Sequence, residues 1–102
     1  MKVLLMSRID TPEVLAYADE IRHLLLSLGY TVALEEGTAD VLGERGEALG
    51  ETDAGIVVAV GGDGTVLLAV QMMKRQIPVI GINRGHVGFL ADLEDREVPA
   101  FL

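Results

Sequence analysis

The amino-acid sequence predicts an α/β fold of three layers, in which a parallel sheet carries helices on both faces. Short apolar runs of strand length alternate with amphipathic helical patterns along the chain. Strands that alternate with helices are joined by right-handed crossovers, and such crossovers produce a parallel sheet. The chain has 102 residues, which suffices for one such domain and not for two.

The first strand and the first helix have the clearest boundaries. The apolar run "KVLLM" at residues 2–6 is typical of a parallel strand that is buried on both faces. The following helix has Thr11 as its N-cap and Pro12 at its first position, and Gly29 ends it. Its apolar positions recur every three or four residues, at Val14, Ala18, Ile21, Leu25 and Leu28.

The remaining elements complete a Rossmann-like alternation. Further strands are predicted at "YTVAL" (30–34), "GIVVAV" (55–60) and "PVIGI" (78–82). The helix "TVLLAVQMMKRQ" follows the third strand and carries Lys74 and Arg75 in its last turn, where cations suit the helix dipole. The acidic segment 35–55 has only a faint helical pattern at 39–49, and we predict a weak helix and a loop there.

The composition excludes several classes of function. Sixteen acidic residues against eight basic residues give a formal charge of −8. Surfaces that bind nucleic acid or anionic membranes need a basic stripe, so neither partner is expected. The chain has no cysteine, which rules out disulfides and thiolate zinc sites and suits a cytoplasmic location. Its apolar runs are too short to cross a bilayer, and its first residues lack the pattern of a secretion signal.

The stretch "GGDGT", from Gly61 to Thr65, is the main candidate site. It follows the third strand, at the carboxyl edge where doubly wound sheets bind ligands. Gly61, Gly62 and Gly64 permit positive φ and the close approach of a ligand, and the next helix offers free N–H groups to phosphate. The stretch lacks the lysine of a P-loop and carries Asp63 instead.

A carboxylate beside a phosphate site needs its own explanation, because it repels phosphate. Asp63 could hold Mg²⁺ or accept a proton from an attacking hydroxyl, and both roles indicate phosphoryl transfer. The alternative is that Asp63 only caps the helix beginning near Gly64, a contribution of about 1 kcal/mol. The spacing of the five residues does not decide between these roles.

A second glycine-containing loop, "GINRGHVGFLADL", follows the last predicted strand. Asn83 with Gly85 favours a tight turn. Phe89 could line a pocket for a base or ring, and the alternative is that it anchors the loop in the core. Because both loops leave the carboxyl ends of parallel strands, we expect Asp63, Asn83 and Phe89 to border one cleft.

Three further side chains are candidates at the same edge. Arg8 and Arg84 each follow a strand and could pair with phosphates in bidentate fashion. His86 lies in the second loop and could donate a hydrogen bond to a nucleotide. For each of them the alternative is an ordinary solvated loop residue.

Together, "GGDGT", the strand "PVIGIN" and the stretch "GFLADL" resemble the amino-terminal domain of the NAD kinases. "GGDGT" alone is shared with diacylglycerol and sphingosine kinases and, loosely, with phosphofructokinases, whereas "GINxGxxGFL" is more specific. The diagnostic residues lie between Gly61 and Asp92. The resemblance implies that ATP or polyphosphate phosphorylates NAD to NADP with Mg²⁺ or another divalent cation.

The resemblance also assigns roles to residues. Asp63 would be the general base for the ribose 2′-hydroxyl of NAD, Gly64 would contact the same NAD, and Phe89 would pack near its adenine. Gly61, Gly62, Thr65 and Asn83 would complete the nucleotide site. A homo-oligomer is expected, because a neighbouring subunit often helps to complete the pocket in this family.

The sequence departs from the family in two respects. Many members carry Arg, Lys or His shortly after the motif, whereas here residues 66–68 are uncharged. The family's second domain, with an Asn-Asp or Asn-Glu motif that grips NAD, has no counterpart in the chain. We therefore expect residues 1–102 to be the amino-terminal domain of a longer protein, and to make no NADP alone.

Two rival functions remain open at this point. A lipid kinase of the diacylglycerol type would share "GGDGT" and differ in its acceptor. A non-catalytic nucleotide-binding or assembly module would use apolar stretches such as "VPAFL" as subunit contacts.

Overall fold

Six parallel strands form one sheet in the computed structural model, which describes residues 1–82 and 92–93. The strands are β1 (Lys2–Ser7), β2 (Thr31–Glu35), β3 (Gly46–Glu47), β4 (Ile56–Val60), β5 (Val79–Ile82) and β6 (Asp92–Leu93). Their order across the sheet is β3-β2-β1-β4-β5-β6. The four predicted strands are confirmed, and the sequence did not predict the two short edge strands.

Helices cover both faces of the sheet, as predicted. They are α1 (Pro12–Ser27), α2 (Glu36–Leu42) and α3 (Asp63–Met72). Leu5 of β1 belongs to the core cluster with Ile21 of α1 and Ala39 of α2, whereas Leu4 belongs to the opposite cluster with Ala69 of α3. Successive side chains of a strand point to opposite faces, so β1 contributes to both halves of the core. Among the described residues, no helix is long and apolar enough to span a membrane.

The boundaries predicted for α1 agree with the structure. Thr11 is the N-cap and Pro12 the first residue, although the Thr11 side chain makes no capping hydrogen bond. Gly29 follows the helix with φ 92°, as expected of a C-terminal stop. Leu28, the last of the recurring apolar positions, does not belong to the core, because the residue is 49% exposed.

The second helix lies earlier than predicted. It begins directly after β2, where the Glu35 carboxylate accepts hydrogen bonds from the backbone N–H groups of Gly37 and Thr38. This side-chain cap fixes the start of α2, and Gly43, with φ 72°, follows its last residue. The faint periodicity at 39–49 therefore predicted correctly that this segment contains a helix, but it placed both ends of the helix too late.

The third helix ends earlier than predicted. It stops at Met72, and Met73 is already extended, so Lys74 and Arg75 do not lie in its last turn. Arg75 instead donates a hydrogen bond from Nη2 to the carbonyl oxygen of Ala54 at 2.7 Å. Arg75 therefore makes a tertiary hydrogen bond in place of the expected interaction with the dipole of α3.

An ion-pair cluster lies at the start of β1. Lys2 Nζ is 2.7 Å from Glu47 Oε2 and 2.5 Å from Asp53 Oδ1. The hydrogen bond to Asp53 is the main reason that the pKa of Lys2 is raised, and that from Lys2 is the main reason that the pKa of Asp53 is lowered. The cluster connects the central strand to the edge strand β3 and to the loop before β4.

The order in which strands are added to the sheet reverses at β1, between β1 and β4. From β1 it proceeds to β2 and β3 on one side, and β4 then pairs with the other edge of β1, with Val3 opposite Ile56. The helices that leave β1 and β4 consequently lie on opposite faces of the sheet. Such a switch point opens a crevice at the carboxyl ends of the two strands, where ligands bind in folds of this type.

Candidate functional site

A cleft of about 630 Å³ occupies this switch point. Its wall is formed by the carboxyl ends of β1 and β2, by the segments that follow β1 and β4, and by α3. All five residues from Gly61 to Thr65 line it, and so do Arg8, Asp10 and Glu35. The "GGDGT" stretch therefore lies where the sequence predicted it.

The first two glycines of the stretch have a backbone that other residues rarely adopt. Gly61 has φ 147°, and Gly62 has φ 148°. A Cβ added at Gly61 would lie 2.7 Å from Arg8 Cβ and 2.8 Å from Thr65 Oγ1. Glycine is therefore required at this position both for conformation and for space.

The start of α3 presents backbone N–H groups to the cleft. The helix is anchored at Gly62, whose carbonyl oxygen accepts from the N–H groups of Thr65 and Val66 at 3.1 and 3.2 Å. The N–H groups of the first helical residues, Asp63 and Gly64, have no acceptor within a helix. Together with the positive end of the helix dipole, they suit an anion such as phosphate.

Asp63 is the first residue of α3 and not its cap. The N-cap is Gly62, and the helix has no side-chain capping hydrogen bond. The alternative that Asp63 only caps the helix is therefore wrong. Its Oδ1 is buried without a hydrogen-bond partner within residues 1–82 and 92–93. A buried polar atom without a partner is costly, and Asp63 is one of the residues that line the cleft.

Arg8 lies beside the glycine loop at the end of β1. Its backbone N–H donates to the carbonyl oxygen of Val60 at 2.8 Å, which continues the pairing of β1 with β4. Its Nε donates to Asp10 Oδ1 at 2.6 Å. The bond from Arg8 lowers the pKa of Asp10, and the Asp10 carboxylate raises the pKa of Arg8.

Glu35 is a residue of the cleft wall that sequence reasoning missed. It is 6% exposed, and its carboxylate accepts from the Thr38 hydroxyl at 3.1 Å in addition to its backbone donors. The segment 35–55 was predicted as weak helix and loop, so a buried carboxylate was not expected there. The available signal was its position directly after the apolar run "YTVAL", where the carboxyl edge of a parallel sheet is expected.

Several predicted site residues lie outside the part of the chain that the structure describes. These are Asn83 and Phe89, together with the further candidates Arg84 and His86. The prediction that Asp63, Asn83 and Phe89 share one cleft stays a prediction. Within the described ranges, the side chains of His, Asp and Glu form no group of three or more that could hold a metal ion.

The chain is similar to proteins of known family. It matches the model of the ATP-NAD kinase N-terminal domain over residues 3–102. It is 55% identical to the NAD kinase of Methanoculleus marisnigri, covering 99% of the chain and 37% of that protein. It is 48% identical to that of Methanoregula boonei, covering 100% of the chain and 38% of the relative. For the NAD kinase of Thermococcus kodakarensis, the identity is 39%, over 95% of the chain and 36% of the relative. The chain thus spans less than two fifths of the length of these relatives.

Proposed function

This chain belongs to the ATP-NAD kinase family, and from that premise we propose that it serves phosphoryl transfer from ATP, or polyphosphate, to the 2′-hydroxyl of NAD. The product is NADP. The observation that carries the proposal is Asp63, which lines the switch-point cleft and whose buried Oδ1 has no hydrogen-bond partner among the described residues. A carboxylate in that position is suited to a hydroxyl that loses its proton.

Asp63 acts as the general base in this proposal. Its carboxylate takes the proton of the ribose 2′-hydroxyl while that oxygen forms a bond to the γ-phosphorus of ATP. The bond between this phosphorus and the bridging oxygen of ADP breaks, and ADP leaves. Catalysis of phosphoryl transfer depends mainly on positioning and on neutralising charge, and a positioned base adds a factor of about 10²–10⁴.

The glycines and the helix start serve the phosphates. Gly61 and Gly62 have no side chains that would keep a phosphate away from the backbone, and the free N–H groups at the start of α3 suit an anion. Gly64 is exposed, and a Cβ added there would meet nothing within 4 Å. This opening leaves room for NAD to approach the helix backbone. Thr65 Oγ1 adds a hydroxyl donor on the same wall.

The second loop completes the nucleotide site in this proposal. Asn83 contributes a polar side chain, and Phe89 packs near the adenine of NAD. The support for both assignments is the resemblance of "GINRGHVGFL" to the corresponding stretch of the family.

A divalent cation, Mg²⁺ or another, belongs to the proposal as a companion of ATP. Mg²⁺ is commonly held by one or two carboxylates together with substrate phosphates and water, and not by a cage of protein ligands. The cleft wall carries carboxylates, which suit a cation that is held mainly by substrate phosphates and water. The cation neutralises charge on the phosphates when it is bound.

The cytoplasm and a homo-oligomer are part of the proposal. A chain without cysteine suits a reducing compartment, where ATP and NAD are both present. Self-association is supported by α3, whose Leu67 and Val70 are 54% and 51% exposed. Apolar side chains grouped on one helix favour a contact with another protein surface.

Neither rival function is favoured by a specific observation. A lipid kinase of the diacylglycerol type shares the "GGDGT" stretch, but the matching family is the ATP-NAD kinases.

The test is an assay of the full-length protein with ATP, Mg²⁺ and either NAD or diacylglycerol. We expect NADP to form and the lipid to remain unphosphorylated. Asp63→Asn is expected to lower kcat by about 10²–10⁴-fold because it removes the base. Asp40→Asn is the matched control, since Asp40 is exposed on α2 and does not line the cleft. Phosphorylation of the lipid would overturn the choice of acceptor, and near-normal turnover of Asp63→Asn would overturn the role of Asp63 alone.

A further inference from the structure

The charged residues of the cleft wall are mostly acidic. Among the described residues that line it, Asp10, Glu35 and Asp63 are acidic and Arg8 is the sole cation. The whole chain carries a formal charge of −8. An anionic nucleotide in such a cleft needs a nearby positive charge, because like charges in a partly desolvated site repel strongly.

The backbone at Arg8 is fixed against the glycine loop. The N–H of Arg8 is bonded to Val60, the last residue of β4, and Arg8 Cβ occupies the space that a side chain at Gly61 would need. The root of the Arg8 side chain therefore touches the loop that is proposed to receive phosphates. This contact depends on glycine at position 61.

The guanidinium of Arg8 has N–H donors without an acceptor among the described residues. Its Nε is used by Asp10, and neither Nη1 nor Nη2 has an acceptor in residues 1–82 and 92–93. The Arg8 side chain is 51% exposed, and the residue lines the cleft. A guanidinium held through Nε keeps a planar fork of N–H donors, and that fork matches two oxygens of a phosphate.

We propose that the Nη1 and Nη2 groups of Arg8 bind phosphate oxygens of a nucleotide in the cleft, and that Asp10 is a positioning residue that orients the guanidinium. The inference rests on the proposed function for the identity of the nucleotide. The phosphate is either that of ATP or the pyrophosphate of NAD, which share their chemistry. Arg8 supplies the cation that the uncharged turn after "GGDGT" does not.

The test compares Arg8→Ala, Arg8→Lys and Asp10→Asn in the full-length protein. The KM and Kd of ATP and of NAD are measured separately, together with Tm. Arg8→Ala is expected to raise the KM and Kd of one nucleotide about tenfold to a hundredfold, as for the loss of hydrogen bonds to a charged group. The nucleotide whose constants rise identifies the phosphate that Arg8 binds. Arg8→Lys restores the charge without the fork and should recover only part of the affinity.

The role of Asp10 is tested with a double-mutant cycle that combines the substitutions at Asp10 and Arg8. Asp10→Asn is expected to raise the same constants less than Arg8→Ala does, because the fork remains but is less well oriented. The double variant should be no worse than Arg8→Ala alone, which is the signature of two residues that act through one guanidinium. Additive effects would show that Asp10 does not act through Arg8.

Arg45→Ala is the matched control, because Arg45 is exposed and does not line the cleft. It should leave all constants unchanged, and Tm should be similar for all single variants. Constants of Arg8→Ala within twofold of the unsubstituted protein for both nucleotides would overturn the inference. If the unsubstituted protein makes no NADP, the proposed function fails, and the Kd values of Arg8→Ala still decide the role of Arg8.

Discussion

The backbone N–H of Ser7 donates a hydrogen bond to Thr38 Oγ1 at 2.9 Å. This bond joins the last residue of β1 to the first turns of α2, two elements far apart in sequence. Thr38 is fully buried, and its hydroxyl also lies 3.1 Å from Glu35 Oε1. Since Ser7 lines the cleft and Arg8 is the next residue, the same bond connects α2 to the cleft wall.

Thr38→Val tests the contribution of this bond to stability. Valine has nearly the same shape but no hydroxyl, so it leaves the buried N–H of Ser7 without its acceptor. We expect the free energy of unfolding to fall by about 1–3 kcal/mol, as measured by urea denaturation of the full-length protein. Thr38→Ser keeps the hydroxyl and should lose less. Equal stability of the valine variant and the unsubstituted protein would contradict the prediction.

Gly61→Ala and Gly64→Ala form a matched pair within one loop. At Gly61 the added Cβ would clash with Arg8 and Thr65, and φ of 147° is unfavourable for alanine. We expect a loss of about 1–3 kcal/mol in the free energy of unfolding. At Gly64 the Cβ would meet nothing within 4 Å, and alanine should raise the stability of α3 by up to about 1 kcal/mol.

Activity adds a second measurement for the same pair. A stable Gly64→Ala variant with a raised KM for NAD would support close contact of NAD with the helix backbone. The stability prediction is wrong if both variants lose the same free energy.

The stability contributed by Lys2 should depend on pH at both extremes. The pKa of Lys2 is raised above 10.5, chiefly by its hydrogen bond to Asp53, and that of Asp53 is lowered below 3.8 by Lys2. For Asp53 the stabilisation is present above its unfolded pKa and is lost as pH falls through the lower folded pKa. For Lys2 it is present below the unfolded pKa and is lost as pH rises through the higher folded pKa.

Lys2→Met should therefore lower Tm at neutral pH, and its Tm should converge with that of the unsubstituted protein in strong acid and in strong alkali. Lys74→Met is the control, since Lys74 is exposed and forms no ion pair within the described chain. Thermal unfolding across a pH series measures both. A difference in Tm that does not change with pH would mean that Lys2 acts by packing and not by charge. Added salt should reduce the difference, because exposed charges are screened.

The exposed apolar side chains of α3 allow a test of self-association. Leu67→Glu and Val70→Glu place charge on that helix and should shift the full-length protein toward smaller assemblies, as measured by light scattering. Val41→Glu is the control, because Val41 is 48% exposed on α2. Unchanged mass for both α3 variants would exclude this helix as the contact.

The sequence predicted the long strands and the position of the "GGDGT" loop because local patterns determine them. β4 is apolar and β-branched, and Gly61 and Gly62 are needed wherever the backbone takes positive φ at this turn. These features depend on neighbours in the chain. The buried environment of Asp63 Oδ1 follows from the same loop, but a pattern of residue types could not distinguish it from a cap.

The remaining features depend on contacts between distant residues. β3 has two residues and no apolar run, and it forms because Gly46 and Glu47 pair with the end of β2. The early end of α3 accompanies the bond of Arg75 to the carbonyl of Ala54, which lies in the segment before β4. The pattern of apolar residues within one segment does not show which distant residues that segment will contact.

The central position of β1 has a consequence for the order in which the protein is built. During synthesis the chain emerges from its amino terminus, so this apolar strand appears before either of its neighbours. β2 follows soon, but the second edge of β1 has no partner until β4 has emerged, because Val3 pairs with Ile56. Until then an unpaired edge rich in leucine and valine is open to other nascent chains. Conditions that slow translation between residues 35 and 56 should therefore increase aggregation, although the finished protein is unchanged.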